Sequence, residues 1–217
     1  MTVSPFSAVE DPAGTRAREG VPEATAREAS AAPVRASGVH SRAGNAMGRT
    51  RSALIDGAMA AIADKGARKT TMADIAANAG IAKGTLYNHF RTKEAVFDAV
   101  LAAAVDRLGE GAEKLAAGAG TAAALAYVAR QLAESPVLGR LRHEPDALAS
   151  VLGIDDRAMW ARANALLRAV FQAGGSDVDP VGLNLAMRWL VSFLTTPDID
   201  GIDLAAQRLA DALRAGG

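Results

Sequence analysis

The chain of 217 residues contains no cysteine. That absence removes disulfide scaffolds, thiolate metal sites and cysteine nucleophiles together. Aromatic side chains are scarce, at 4%, while half of the residues are apolar and many of these are alanine. Such a composition favours closely packed helices over sheets, because alanine is the best helix former and a poor strand residue. The expected fold class is therefore all-α. No apolar run approaches the ~20 residues that a bilayer-spanning helix requires. The opening Met1-Thr2-Val3-Ser4-Pro5-Phe6, soon followed by Glu10 and Asp11, has neither the basic n-region nor the apolar h-region of a secretory signal, so a cytoplasmic location is expected. Enzyme signatures are missing too. His40, His89 and His143 are the only histidines, none has a glutamate three residues before it, and neither H-E-x-x-H nor G-x-S-x-G occurs. His143-Glu144 near Asp146 has the groups for acid–base work, but the stretch reads as a solvated loop instead. Neither catalysis nor a cofactor or metal is expected.

What is present is unevenly distributed. The formal net charge is zero, yet residues 48–93 carry +5 through Arg49, Arg51, Lys65, Arg68, Lys69, Lys83, Arg91 and Lys93, and residues 94–217 carry −5. A short basic segment on a larger acidic body fits a compact module that meets a polyanion. Residues 1–46 are rich in Ala, Arg, Glu, Pro, Ser and Gly without apolar periodicity, which predicts a disordered arm. Its arginines are placed either to brush phosphates or simply to stay solvated.

From Arg51 the pattern becomes helical. Leu54, Ile55, Ala58, Met59 and Ile62 share one face, and Lys65-Gly66 closes the helix with a cation and a glycine. Thr71-Met72-Ala73-Asp74 reads as a capping box opening a short helix that Gly80 ends. A third helix follows from about Ala82 to Phe90, with Leu86 and Phe90 as core. Two short helices around a glycine turn form a helix-turn-helix. Thr92 caps a fourth helix, for which Gly109 to Gly120 predicts a terminating loop. Further helices are expected over residues 121–134, 137–142, 145–152, 155–173, from Pro180 to about Thr196, and over 203–214. The expected division is an arm at 1–46, a helix-turn-helix domain at 47–95 and a helical ligand-binding and dimerisation domain at 96–217.

The run from Ile75 through Glu94, with Gly84-Thr85-Leu86-Tyr87-Asn88-His89-Phe90 at its centre, closely resembles the DNA-binding domain of the tetracycline-repressor (TetR) family. The likeness extends over residues 51–101. It implies a transcription regulator, a repressor that binds palindromic operator DNA as a homodimer until a small molecule releases it. A recognition helix needs small leading residues and a few side chains that reach base edges. Ala82, Gly84 and Thr85 are small, and Lys83 is the long donor, for a guanine edge or for a phosphate. The resemblance implies that Tyr87, His89 and Lys93 hold phosphates, with Thr71 adding a contact; His89 also suits the edge of the core. One departure is Ala82, where the family often has a hydroxyl residue.

Two apolar stripes on one late helix, Val181, Leu185, Trp189 and Phe193 beside Leu183, Met187, Leu190 and Leu194, require covering on both sides, by the chain's own core and by a second subunit, the alternative being a helix buried within a single chain. The resemblance further implies a ligand pocket among the middle helices, for which Tyr127, Gln131, Trp160, Asn164 and Phe171 are the candidates. The rival reading is a constitutive or architectural DNA-binding protein without an effector.

Overall fold

The computed structural model describes residues 38–152 and 157–215. Among them there are ten helices and no strand: α1 Gly38–Lys65, α2 Met72–Ala79, α3 Lys83–His89, α4 Lys93–Ala119, α5 Thr121–Glu134, α6 Pro136–Leu141, α7 Pro145–Leu152, α8 Arg157–Ala173, α9 Pro180–Thr195 and α10 Ile202–Ala215. Most of the arm expected at residues 1–46 lies outside the described residues. Its last part, from Gly38, is already helical and joins α1.

The local signals act where their chemistry places them. Thr71 and Asp74 form the reciprocal capping box of α2, and Gly80 closes that helix in the left-handed region at φ 64°. Thr92 caps α4, and Asp179 caps α9 with Pro180 in the first turn. Ala82 gives α3 no side-chain cap, as its lack of a hydroxyl dictates.

Two cores follow. The first joins α1–α3 to the start of α4 around Leu54, Ile75, Leu86 and Val96, all fully buried. The second lies among α5, α8, α9 and α10, centred on Leu125, Phe171, Ala186 and Ala206. Between them Ile62 and Ala67 meet Leu138 and Leu141 of α6. Burying a large aliphatic side chain stabilises by about 1.5–3 kcal/mol, so these clusters, rather than helix propensity, hold the head of the molecule to its body.

One expectation fails. The glycines from Gly109 onward do not end α4, which continues to Ala119. A Cβ at Gly109 would stand 2.9 Å from the Leu166 side chain of α8, and one at Gly111 would stand 2.7 Å from the Tyr127 hydroxyl of α5. The two glycines therefore let neighbouring helices approach α4 closely, and that packing outweighs the roughly 1 kcal/mol each costs in helix propensity. Apart from the start of α1, which lies at Gly38 where the pattern predicts Arg51, the other helix boundaries fall within a few residues of expectation where they are described; the residue expected to open α8, Asp155, lies outside the described residues.

Candidate nucleic-acid interface

The head is built to present α3. Leu86 and Phe90 are buried and fix the rotation of the helix, so Lys83, Gly84, Tyr87 and Asn88 emerge on its outer side. Tyr87 is 44% exposed, unusual for an aromatic residue beside a fully formed core. Thr85 and His89 are half-buried at the flanks. A Cβ at Gly84 would meet nothing within 4 Å. No internal neighbour demands a glycine there, and its φ is that of an ordinary helical residue. Asn88, which sequence reasoning passed over, stands next to Tyr87 on the same surface; the i, i+4, i+5 spacing from Lys83 and Gly84 was the available signal.

The helix ahead of α3 is tied down by charge. Asp74 accepts from the Thr71 backbone N–H at 2.9 Å and from the Thr71 hydroxyl at 2.7 Å, and pairs with Lys65 at 2.5 Å. The hydrogen bond from Lys65, then those from Thr71, hold the Asp74 carboxyl far below the usual carboxylate range. Thr71 thus has its hydroxyl engaged in capping while the residue itself remains exposed at the start of α2.

Lys93 occupies a different position from that of a surface cation. Half-buried, its ammonium donates to the carbonyls of Ala67 at 3.0 Å, Thr70 at 3.2 Å and Arg68 at 3.4 Å, and lies 5.4 Å from the Phe97 ring centroid. From the other side, the Glu144 carboxylate accepts the Arg68 backbone N–H at 2.9 Å. The loop of residues 66–70, which sets where α2 begins, is held between the start of α4 and the α6–α7 turn. Arg51 of α1 stacks over Phe90 at 4.5 Å.

Adjacent residues of α4 bind in opposite directions. Arg107 pairs with Asp56 of α1 at 2.7 Å, and Asp106 accepts two hydrogen bonds from Arg162 of α8. Arg162 in turn holds the Asp106 carboxyl below its ordinary range.

Below the head a cavity of about 840 Å³ opens between α4, α5, α6, α8 and α9. Its wall is mostly apolar, with Phe97, Leu101, Leu108, Val128, Trp160 and Leu166 contributing. Of the residues expected there, Gln131 and Trp160 line it. Phe171 belongs to the body's core, Tyr127 packs its hydroxyl end against Gly111, and Asn164 faces a separate recess. Among the described residues no cluster of His, Asp or Glu is arranged to hold a metal ion, and no helix is long and apolar enough to cross a membrane.

Comparison with known proteins agrees with this geometry. Residues 54–100 match the family profile described as bacterial regulatory proteins, tetR family. Over 157 residues the chain is 32% identical to the HTH-type transcriptional repressor KstR2 of Rhodococcus jostii (strain RHA1), covering 64% of this chain and 74% of that protein. A shorter stretch of 58 residues is 45% identical to KstR2 of Mycobacterium tuberculosis (strain ATCC 25618 / H37Rv), covering 27% of this chain and 29% of that one. The TetR transcription regulatory protein of Mycobacterium vanbaalenii has a solved structure that matches with a TM-score of 0.54 at 26% identity, over 79% of this chain and 99% of that one. A TetR transcriptional regulator from Rhodococcus sp. RHA1 matches with a TM-score of 0.54 at 19% identity, over 76% of this chain and 96% of that one, which speaks to the fold alone.

Proposed function

The chain belongs to the TetR family of bacterial DNA-binding transcription regulators, and from that premise we propose that it is a repressor which binds a palindromic operator as a homodimer and leaves it when a small molecule fills the cavity beneath α4. The observation that carries the reading is the outer face of α3. Lys83, Gly84 and Tyr87 stand clear of the core, and the space beside Gly84 is open. An approaching duplex would meet a bare helix backbone flanked by a cation and a phenol. Lys83 is the reader of a guanine edge, Thr85 offers its methyl to a thymine, and Tyr87, His89 and the exposed end of Thr71 hold phosphates. Lys93 acts from within, by fixing the loop ahead of α2.

One helix-turn-helix contacts too few base pairs for useful specificity, so two copies are required. The exposed Val181 and Leu185 of α9 and Leu204 of α10 supply the self-complementary apolar surface for pairing. The cavity supports effector release rather than constitutive binding, since it runs beside the very helix that joins head and body and lies within the size range of small-molecule sites.

The test is fluorescence anisotropy with an operator fragment taken from a genome-wide footprint and a scrambled duplex of equal length. Tyr87→Ala is expected to weaken binding to both alike. Lys83→Ala is expected to weaken operator binding by about 10–100-fold more than scrambled binding, as one specific base contact dictates. Equal losses on both duplexes would remove Lys83 as the reader. Unchanged affinity for both variants would remove α3 as the interface.

A further inference from the structure

Two arginines stand at the trailing end of α3 that neither the core nor the readout described above employs. Arg51 of α1 is exposed, and its guanidinium carbon lies 4.5 Å from the centroid of the Phe90 ring. Phe90 is the residue on which α3 ends, and it is 3% exposed. The flat guanidinium therefore covers that ring, while its N–H groups, which lie in its own plane, point along the surface rather than into the stack. Arg91, the next residue after Phe90, is exposed in the turn between α3 and α4. Among the described residues neither arginine has a carboxylate or carbonyl that receives its donors.

The carboxylates of α1 and α2 are engaged or distant. Asp56 pairs with Arg107 and Asp74 with Lys65. Asp64 is 13 residues along α1 from Arg51, about 20 Å at the rise of a helix. Glu94, which follows Arg91 closely in the chain, has its carboxyl held below the ordinary range by its own backbone N–H and by Thr92.

The position of the two arginines matters for a duplex. The seven residues of α3 make a helix about 10 Å long, and a major groove is about 12 Å wide. With Lys83 and Gly84 at the base edges, the end at Phe90 reaches a sugar–phosphate strand. The carbonyls that close a helix carry partial negative charge and disfavour a phosphate unless cations offset them. Within its last turn α3 supplies only His89.

We propose that Arg51 and Arg91 clamp a backbone phosphate at the trailing end of α3. This rests on the reading of α3 as the DNA-facing helix and adds the contact that secures its far end. A guanidinium pairs with phosphate through two parallel N–H donors, and the stack on Phe90 has already fixed the plane of Arg51, so little freedom is lost on binding.

Anisotropy titrations of the full chain on operator and scrambled duplexes at several salt concentrations, with thermal melts alongside, test this. Arg51→Met keeps an aliphatic cover on Phe90 and removes the donors, and Arg91→Gln removes the second charge. Each is expected to weaken binding to both duplexes alike and to lower the slope of log K against log salt by about 0.9 for each bound subunit. Arg51→Lys retains the charge and is expected to keep the slope. A methylphosphonate scan of the operator locates the contact: neutralising one phosphate in each half-site should weaken wild type and leave Arg51→Met unaffected. An unchanged slope in Arg51→Met or Arg91→Gln, a slope that falls as far in Arg51→Lys as in Arg51→Met, or a scan that is identical for wild type and Arg51→Met overturns the clamp. A lowered Tm with the slope intact would assign Arg51 to the core alone. These outcomes leave α3 standing as the interface, which Lys83→Ala and Tyr87→Ala decide in the same titrations; unchanged affinity for those two removes both readings.

Discussion

Substituting Lys93 separates two roles that a lysine at this place can have. In the structure its ammonium faces inward, against three carbonyls of the loop at residues 66–70, with Phe97 beside it. Lys93→Met keeps the aliphatic stem and the contact with Phe97 but removes every donor. A hydrogen bond from a charged donor contributes about 1.5–3 kcal/mol, but these three share one half-buried group and the longest is weak, so a total loss of about 1–2 kcal/mol is expected. For a chain of this size that lowers Tm by roughly 2–8 °C. Operator affinity should fall as well, because the loop fixes the start of α2 and through it the seat of α3. The decisive quantity is the salt dependence of DNA binding. A lysine that neutralises a phosphate contributes about 0.9 to the slope of log K against log salt, roughly a threefold change in affinity over a fourfold change in salt. An internal clamp contributes nothing. Anisotropy titrations of wild type and Lys93→Met at several salt concentrations, with thermal melts alongside, are expected to show reduced Tm with an unchanged slope. A slope reduced by about one contact with Tm intact would refute the clamp and restore the phosphate contact that the family resemblance implies.

Three further outcomes follow from the geometry. Asp74→Asn should destabilise the fold at neutral pH; because the folded carboxyl titrates below the unfolded one, its contribution is complete above the ordinary range near pH ~4 and is lost as pH falls below it. Denaturant melts should therefore show the gap between variant and wild type closing in acid, and a gap independent of pH would contradict the pairing with Lys65 and Thr71. Gly118→Ala, whose Cβ meets nothing, should gain up to about 1 kcal/mol in helix propensity, whereas Gly109→Ala, pressed against Leu166, should lower Tm. Equal gains at both sites would mean that α4 and α8 are not in close contact. The double variant Val181→Glu, Leu185→Glu should sediment as a monomer where wild type sediments as a dimer, and an unchanged mass would place the subunit contact elsewhere.

The head of the molecule is legible from sequence because its determinants are local. A capping threonine with its aspartate three residues on, a glycine at a left-handed turn and apolar residues at helical spacing act over a few residues, and each appears where expected. The Gly109–Gly120 stretch was misread for the complementary reason. Glycine's low helix propensity is local, while the partners that favour it, Leu166 and Tyr127, are distant in sequence. The cavity fared in between. Gln131 and Trp160 reach it, but which way Tyr127 or Phe171 turns depends on the rotation of α5 and α8 against neighbours that no periodicity names. Residues 38–46 joined α1 although their composition matches a solvated arm, since a helix once nucleated extends at little cost into alanine-bearing sequence.

The close approach at Gly109 and Gly111 has a mechanical consequence. With α8 and α5 pressed against α4 at these two points, the helix is gripped toward its middle, and Lys93 lies 16 residues away, about 24 Å at the rise of an α-helix. The cavity wall runs along this arm, from Lys93 to Gly109, and on past the grip to Ala112. Swinging the arm by about 5° about the gripped point carries its tip about 2 Å, a displacement that a side-chain-sized wedge beside Leu101 or Leu108 is large enough to produce.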